Sequence, residues 1–178
     1  MKLPRMFTAI CNPKPKAIVI ACGDPRFQDS VEELREFLKL PNGTYVPIGN
    51  GGGPVPLAHP TTMPDRCRGM IRQIRFYRKI FPSIERAVLL THGNCGYYIT
   101  APCQCRGEDK ERRDVALAAS VVKLVAPELH VEPYYAELAA GEHWIDIYKE
   151  GVSRELPAMP APAEWAEWIR EYEPATLA

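Results

Sequence analysis

Two short stretches of the sequence, CGDPR at 22–26 and HGNC at 92–95, carry the side chains best suited to chemistry. Cys22, His92 and Cys95 together offer two thiolates and one imidazole, a ligand set that suits zinc. Three such ligands leave one position of the zinc tetrahedron open, whereas a closed structural site would normally contain a fourth cysteine or histidine. The residue types therefore indicate a zinc site that can accept a further ligand.

Both stretches come at the ends of segments with the composition of buried strands. KAIVIAC at 16–22 and ERAVLLTH at 85–92 are short and apolar, as expected for central strands that are covered on both faces. In open parallel sheets, sites form beyond the carboxyl ends of the strands, where the loops converge. We therefore expect Cys22 to arrive from one strand, and His92 and Cys95 to share a tight loop after its neighbour.

Strand-like and helix-like segments alternate along the chain, which predicts an α/β fold with a mainly parallel central sheet flanked by helices. Further strands are predicted at 44–48, 129–138 and 143–148, and helices at 29–40, 63–81, 111–126 and 162–173. Ser30 and Glu33 have capping-box spacing at the start of the first helix. The glycines at 51–53 lack the lysine and the spacing of a P-loop, so we do not predict a nucleotide site.

A length of 178 residues is most simply explained by one domain, and we predict a single α/β zinc-binding domain spanning 1–178. Residues 1–15 form an N-terminal segment before the first strand. Residues 155–178 comprise a proline-rich connector, which we expect to be extended, and a terminal helix.

Charge and hydropathy argue against several classes of partner. Lysine plus arginine equals aspartate plus glutamate at 22 each, which gives no electrostatic case for nucleic acid or a membrane surface. The basic residues between Arg66 and Lys79 are interpreted as a solvated helix face. The first apolar run is too short for a secretory signal, and no stretch approaches a membrane span. We expect a cytoplasmic protein, in which cysteines are thiols or ligands rather than disulfides.

The two motifs resemble those of the β-class carbonic anhydrases. In that family one strand ends in C-x-D-x-R and a later strand ends in H-x-x-C-G, which match Cys22–Arg26 and His92–Gly96 here. PIGNGGGP at 47–54 is similar to the family's glycine-containing loop, and MIRQIRFYRKIF at 70–81 to the helix before its second metal strand. HVEPYYAELAAGEHW at 130–144 is similar to its late hairpin. The resemblance covers roughly residues 16 to 148.

The resemblance implies a β-carbonic-anhydrase-like fold with zinc bound by Cys22, His92 and Cys95, and with Asp24 and Arg26 as a catalytic dyad. It implies reversible hydration of carbon dioxide to bicarbonate by zinc-bound hydroxide, in a homodimer or higher oligomer. Asp24 would orient the hydroxide, while Arg26 would hold Asp24 ionised. The family also implies a second arrangement, in which Asp24 leaves Arg26 and becomes the fourth zinc ligand.

Three features depart from the family pattern. Pro25 stands inside the dyad, where the family usually has serine or alanine, and it removes an N–H. The family's long N-terminal helical arm is missing before the first strand, so an interface would use sheet edges and helices. An aromatic and cysteine-rich segment follows His92–Gly96. There, Tyr97 and Tyr98 line a substrate channel or pack in a loop, with packing favoured.

Cys103 and Cys105 in the same segment could bind a second metal, cap the site or form a redox pair. We favour two packed or partly exposed thiols, because the sequence offers no further pair of ligands. Two alternatives to carbon dioxide hydration stay open. The same zinc site could act on carbonyl sulfide or carbon disulfide, or the chain could be a non-catalytic zinc-binding module.

The other histidines and cysteines have simpler interpretations. His59 could shuttle protons, but we favour a histidine in a surface loop. Cys11 and Cys67 are interpreted as buried or inert thiols. His130 and His143 lie in predicted strands and are expected to be structural.

Overall fold

The computed structural model describes residues 12–100, 109–138 and 145–170. Its strands are β1 (Ala17–Cys22), β2 (Tyr45–Asn50), β3 (Arg86–His92), β4 (His130–Leu138) and β5 (Ile145–Lys149). Its helices are α1 (Gln28–Phe37), α2 (Val55–Ala58), α3 (Pro64–Ile80), α4 (Tyr97–Thr100), α5 (Lys110–Val125) and α6 (Pro162–Arg170). Cys11, Cys103, Cys105 and His143 lie outside the described residues.

The described strands form one sheet in the order β2-β1-β3-β4-β5. β1 pairs in parallel with both β2 and β3, and β3 pairs in parallel with β4. Only the β4–β5 pair among these strands is antiparallel. The predicted α/β fold with a mainly parallel sheet is therefore confirmed.

The continuous apolar runs of β1 and β3 reflect helices packed on both faces of the sheet. All six residues of β1 are buried, and so are all residues of β3 after Arg86. Helices α3 and α5 pack on one face, where Ile71 and Ile74 meet Val115 and Val122 in one apolar cluster. Helix α1 covers part of the other face through Leu34. A strand buried on both faces has no polar side to alternate with, which explains its sequence.

The capping box predicted at Ser30 and Glu33 is wrong. A 3-10 turn, Pro25–Phe27, leads straight into α1, so the helix begins at Gln28 and Ser30 lies buried within it. The side chain that caps this region is Asp24, whose Oδ1 accepts the backbone N–H of Arg26 at 3.0 Å. The helical segment therefore starts within the first motif, at Pro25, rather than at Ser30.

The proline-rich connector leads the terminal helix back to the α3–α5 face. Trp168 of α6 is buried in the apolar cluster there, and Trp165 and Met159 pack against it. Among the residues that the structure describes, no helix has both the length and the apolar character needed to cross a membrane.

Candidate metal centre

The parallel pairing of β1 and β3 brings the three predicted zinc ligands together. Cys22 ends β1, His92 ends β3, and Cys95 follows in the turn after β3. Their ligand atoms all lie within 4.8 Å of one another, and the two Sγ atoms are 3.8 Å apart. A tetrahedral zinc with Zn–S bonds of about 2.3 Å separates two sulfurs by about 3.8 Å. The spacing of the thiols therefore fits zinc.

His92 presents one ring nitrogen to this cluster. Its Nδ1 lies 3.0 Å from the carbonyl oxygen of Gly93, and the ring stacks on Phe27 at 4.1 Å between centroids. These two contacts set the orientation of the imidazole. Its Nε2 is buried and has no hydrogen-bond partner among the described residues. A buried polar atom left in this state is costly, and a metal ion would satisfy it.

The ionisation of the two thiols also favours a bound cation. The hydrogen bond with the Cys95 thiol lowers the pKa of Cys22 to about 4, although burial opposes this shift. His92 and the Gly52 amide lower the pKa of Cys22 further. The same thiol–thiol contact raises the pKa of Cys95 above its ordinary value. One thiolate therefore disfavours a second beside it, and a divalent cation would remove that repulsion.

Asp24 and Arg26 form a bidentate ion pair beside the cluster. Arg26 Nε donates to Asp24 Oδ1 at 3.0 Å, and Nη2 donates to Oδ2 at 2.7 Å. These hydrogen bonds lower the pKa of Asp24 to about 2, so the carboxylate is ionised at neutral pH. Asp24 Oδ2 lies 3.8 Å from His92 Nε2. Of the two arrangements considered from sequence, the structure has Asp24 paired with Arg26.

Arg26 also connects the two metal-ligand motifs. Its Nη2 donates to the backbone oxygen of Asn94 at 3.1 Å, within the turn that carries Cys95. Asn94 has a φ of 53°, a left-handed conformation that asparagine tolerates better than most residues. The Arg26 guanidinium thus binds both the carboxylate of Asp24 and the backbone of the 92–95 turn.

The glycine loop after β2 packs against Cys22. The Gly52 N–H donates to Cys22 Sγ at 3.3 Å. Gly53 has a φ of +57°, and a Cβ there would lie 2.8 Å from the backbone nitrogen of Cys22. Only glycine allows this approach without displacing the backbone. The loop therefore supplies an amide to the sulfur of Cys22, a candidate metal ligand.

A second polar cluster lies on α2, α4 and α5, and sequence reasoning missed its centre. Asp114 Oδ2 lies 2.8 Å from His59 Nε2, accepts the Tyr98 hydroxyl at 2.9 Å, and lies 3.8 Å from Lys110 Nζ. The interpretation of His59 as a surface histidine is wrong, because its side chain is only 15% exposed. Asp114 stands three and four residues before the buried Leu117 and Ala118. The spacing places the Asp114 carboxylate on the buried face of its helix, and this pattern could have predicted a buried polar cluster.

The structure also describes Cys67, His130 and the basic segment between Arg66 and Lys79. Cys67 is fully buried in α3, and burial raises its pKa to about 12, so its interpretation as an inert thiol is confirmed. His130 is 71% exposed at the start of β4 and lies 4.0 Å from Glu132. Within the basic segment, Arg78 pairs with Glu128 at 3.0 Å.

A small cleft reaches Cys22 from the β1–β2 side. Its volume is about 160 Å³, and its lining includes Cys22, Gly23 and the apolar side chains of Val19, Val31 and Ile48. Gln28 also lines it and donates to the backbone oxygens of Cys22 and Asp24, at 3.3 and 3.1 Å. Its lining also includes the polar side chains of Glu32 and Tyr45, so the cleft is partly polar.

Scans against protein-family models and against curated proteins found no match for this sequence. Solved structures do match. β-Carbonic anhydrase isoform I from the protozoan Trichomonas vaginalis is 10% identical, with a TM-score of 0.55 over 82% of this chain and 88% of that one.

Two fungal structures are also similar. A tetrameric β-carbonic anhydrase from Sordaria macrospora is 14% identical, with a TM-score of 0.44 over 76% of this chain and 80% of that one. The β-carbonic anhydrase CafA from Aspergillus fumigatus is 13% identical, with a TM-score of 0.47 over 89% and 81%. At such identities a likeness concerns the fold. On the first of the three comparisons, this chain has the fold of a β-carbonic anhydrase.

Proposed function

We propose that this chain is a zinc-dependent carbonic anhydrase that hydrates carbon dioxide reversibly to bicarbonate. The observation that carries the proposal is the convergence of Cys22, His92 and Cys95 beside the Asp24–Arg26 pair, at the carboxyl ends of neighbouring parallel strands. The orphaned Nε2 of His92 and the sulfur spacing support zinc as the metal. The three-residue ligand set favours a catalytic rather than a closed structural site.

Zinc held by these three residues would supply Lewis acidity and make a bound water a nucleophile near neutral pH. Asp24 would accept a hydrogen bond from that water at Oδ2, the oxygen that lies 3.8 Å from His92 Nε2. Arg26 would keep Asp24 ionised and prevent it from rotating, because it holds both carboxylate oxygens.

We propose further that the chain works in the reducing cytoplasm, as a homodimer or a higher oligomer. Cys22 and Cys95 need to remain thiols to bind metal, and a reducing compartment protects two sulfurs that lie 3.8 Å apart. Exposed apolar side chains near β5 support an interface between copies. Phe37 is 77% exposed, and with Leu34, Leu38, Ile145 and Ile147 it lines a cleft of about 570 Å³.

The deciding experiment is stopped-flow hydration of carbon dioxide between pH 7 and 9, on protein whose zinc content has been measured. Zinc near one per chain with turnover well above buffer would support the proposal. Zinc near one per chain without turnover would contradict the activity and favour a non-catalytic module. Release of hydrogen sulfide from carbonyl sulfide or carbon disulfide, in place of hydration, would move the substrate to those molecules.

A further inference from the structure

The ring of Tyr97 packs directly on the glycine loop. A Cβ built on Gly52 would lie 2.5 Å from Tyr97 Cδ1 and 2.7 Å from Cγ, and one on Gly51 would lie 3.4 Å from Cδ2. The face of the ring therefore covers the backbone of two consecutive glycines. This contact is closer than any residue with a side chain would permit.

Contacts with Arg66, Met63 and Val55 hold Tyr97 in that position. Arg66 Nη1 donates to the Tyr97 hydroxyl at 2.7 Å, and the Arg66 guanidinium carbon lies 5.2 Å from the ring centroid. The hydroxyl in turn donates to Met63 Sδ at 3.1 Å. Tyr97 also packs against an apolar pair formed by Val55 and Met63. The ring is thus fixed from α2 and α3, outside the metal centre.

The backbone under this ring is the one that contacts a metal ligand. Gly52 donates its N–H to Cys22 Sγ at 3.3 Å and has a φ of +81°. Three glycines in succession have little intrinsic preference for one conformation, so the ring of Tyr97 adds to the backbone hydrogen bonds of the loop in selecting it. An N–H donated to a sulfur stabilises its thiolate form, which is the form that binds metal.

We propose that Tyr97 is a positioning residue for the metal centre, because its ring, fixed by Arg66, holds the Gly52 amide on the Cys22 sulfur. The proposal rests on zinc binding by Cys22, His92 and Cys95, as put forward above. It gives the aromatic segment after Cys95 a role that is neither substrate channel nor simple loop packing. Residues outside the ligand shell commonly change metal affinity about 10- to 100-fold.

The test compares metal release from the full-length chain and its Tyr97→Ala variant, each loaded with one zinc per chain. Release to an excess of chelator is followed at neutral pH, and cobalt is substituted to record the sulfur-to-metal charge-transfer absorption. We expect Tyr97→Ala to release zinc about 10- to 100-fold faster and to shift the charge-transfer band. Tyr97→Phe keeps the ring over Gly52 but loses the hydroxyl that Arg66 holds, so its release rate should lie between those of the parent chain and Tyr97→Ala.

Tyr98→Ala is the matched control, because it truncates the same residue type on the same short helix but contacts Asp114 rather than the glycine loop. We expect it to lower the unfolding temperature and to leave the cobalt band in place. Arg66→Met removes only the clamp on the exposed side of Tyr97, so it provides a readout even if Tyr97→Ala does not fold. It should release zinc faster than the parent chain.

The outcomes separate this inference from the proposed activity. Zinc release and a cobalt band that are unchanged in Tyr97→Ala, or that change equally in Tyr98→Ala, would overturn the role of Tyr97 and leave the carbonic anhydrase proposal intact. Tight metal binding that depends on Tyr97, without hydration of carbon dioxide, would support the inference and contradict the proposed activity. A parent chain that binds neither metal would overturn both.

Discussion

Asp24 and Arg26 form three hydrogen bonds across a proline, and the proline does not prevent them. The N–H that reaches Asp24 Oδ1 comes from Arg26, not from residue 25, and Pro25 occupies the first position of a 3-10 turn. A proline there loses no hydrogen bond, because the first N–H groups of a helix have no internal acceptor. The departure from the family pattern at Pro25 therefore leaves the ion pair in place.

At this scale, Asp24→Asn tests the dyad. The amide cannot match both donors of Arg26 and accepts a proton poorly, so we expect turnover to fall by about 100-fold or more while zinc stays bound. Stopped-flow hydration together with zinc analysis measures both quantities. Full activity in the zinc-loaded variant would contradict the role assigned to Asp24.

Cys95→Ser tests the metal ligands. A serine hydroxyl does not replace a thiolate toward zinc, and metal binding in such sites is coupled to folding by several kcal/mol. We expect loss of zinc and a lower unfolding temperature, seen by elemental analysis and thermal unfolding. Cys67→Ala is the matched control, since Cys67 is a buried thiol in α3 outside the cluster. It should retain zinc, and equal zinc loss in both variants would argue against Cys95 as a ligand.

At the scale of elements, the short helix α4 links the turn that carries Cys95 to the elements on both sides of it. Tyr97 contacts the glycine loop and α3, and Tyr98 reaches Asp114 on α5. Asp114 also lies within hydrogen-bond distance of His59, which follows α2, and forms an ion pair with Lys110 at the start of α5. Lys110 Nζ is buried without a hydrogen-bond partner in the described part of the chain, so its charge depends on this carboxylate and on the Tyr98 ring 4.0 Å away.

Asp114→Ala should therefore be strongly destabilising. It would leave an ammonium buried without a counter-charge and a hydroxyl without its acceptor, at a cost of about 3–5 kcal/mol. Denaturant unfolding measures this free energy. Asp146→Ala, on the exposed side of β5, serves as the control and should change it by less than about 0.5 kcal/mol. A similar small effect in both variants would show that the cluster contributes little.

At the scale of the whole molecule, the described residues cover the two faces of the sheet unequally. Helices α3, α5 and α6 pack on one face, and of the described helices α1 contributes residues to the apolar cluster on the other. The face near β5 keeps an apolar cleft with Phe37 exposed at its rim. Apolar surface of this kind is typical of an interface between protein copies.

Phe37→Glu tests the proposed oligomer. A carboxylate in an apolar interface is costly, so we expect the molar mass from light scattering to fall toward that of one chain, without loss of secondary structure. Phe76→Glu is the control, because Phe76 is also exposed but lies on α3 outside this cleft. A parent chain that is already monomeric would contradict the oligomer itself.

Local sequence patterns were enough to predict the strands that carry the ligands and the residues that end them. Apolar runs such as IVIAC and AVLLTH indicate strands that are buried on both faces of a sheet. In a parallel α/β sheet the carboxyl ends of such strands lie at the same edge, so the residues that follow them are expected to meet there. The candidate ligands Cys22, His92 and Cys95 follow from the chemistry of their residue types, whereas the pairing of Asp24 with Arg26 was expected from the family resemblance. The start of α1 was misplaced because a capping pattern is local, and the 3-10 turn before it took over the capping.

Only the tertiary structure decided which distant residues meet. His59 and Asp114 lie 55 positions apart, and Tyr97 covers Gly52 from 45 positions away, so no short-range pattern connects them. Such contacts depend on how α2, α4 and α5 pack over the end of the sheet, and packing is set by the combined shape of many side chains. The sequence by itself therefore determined the fold class and the candidate ligands, whereas packing determined how those ligands are held.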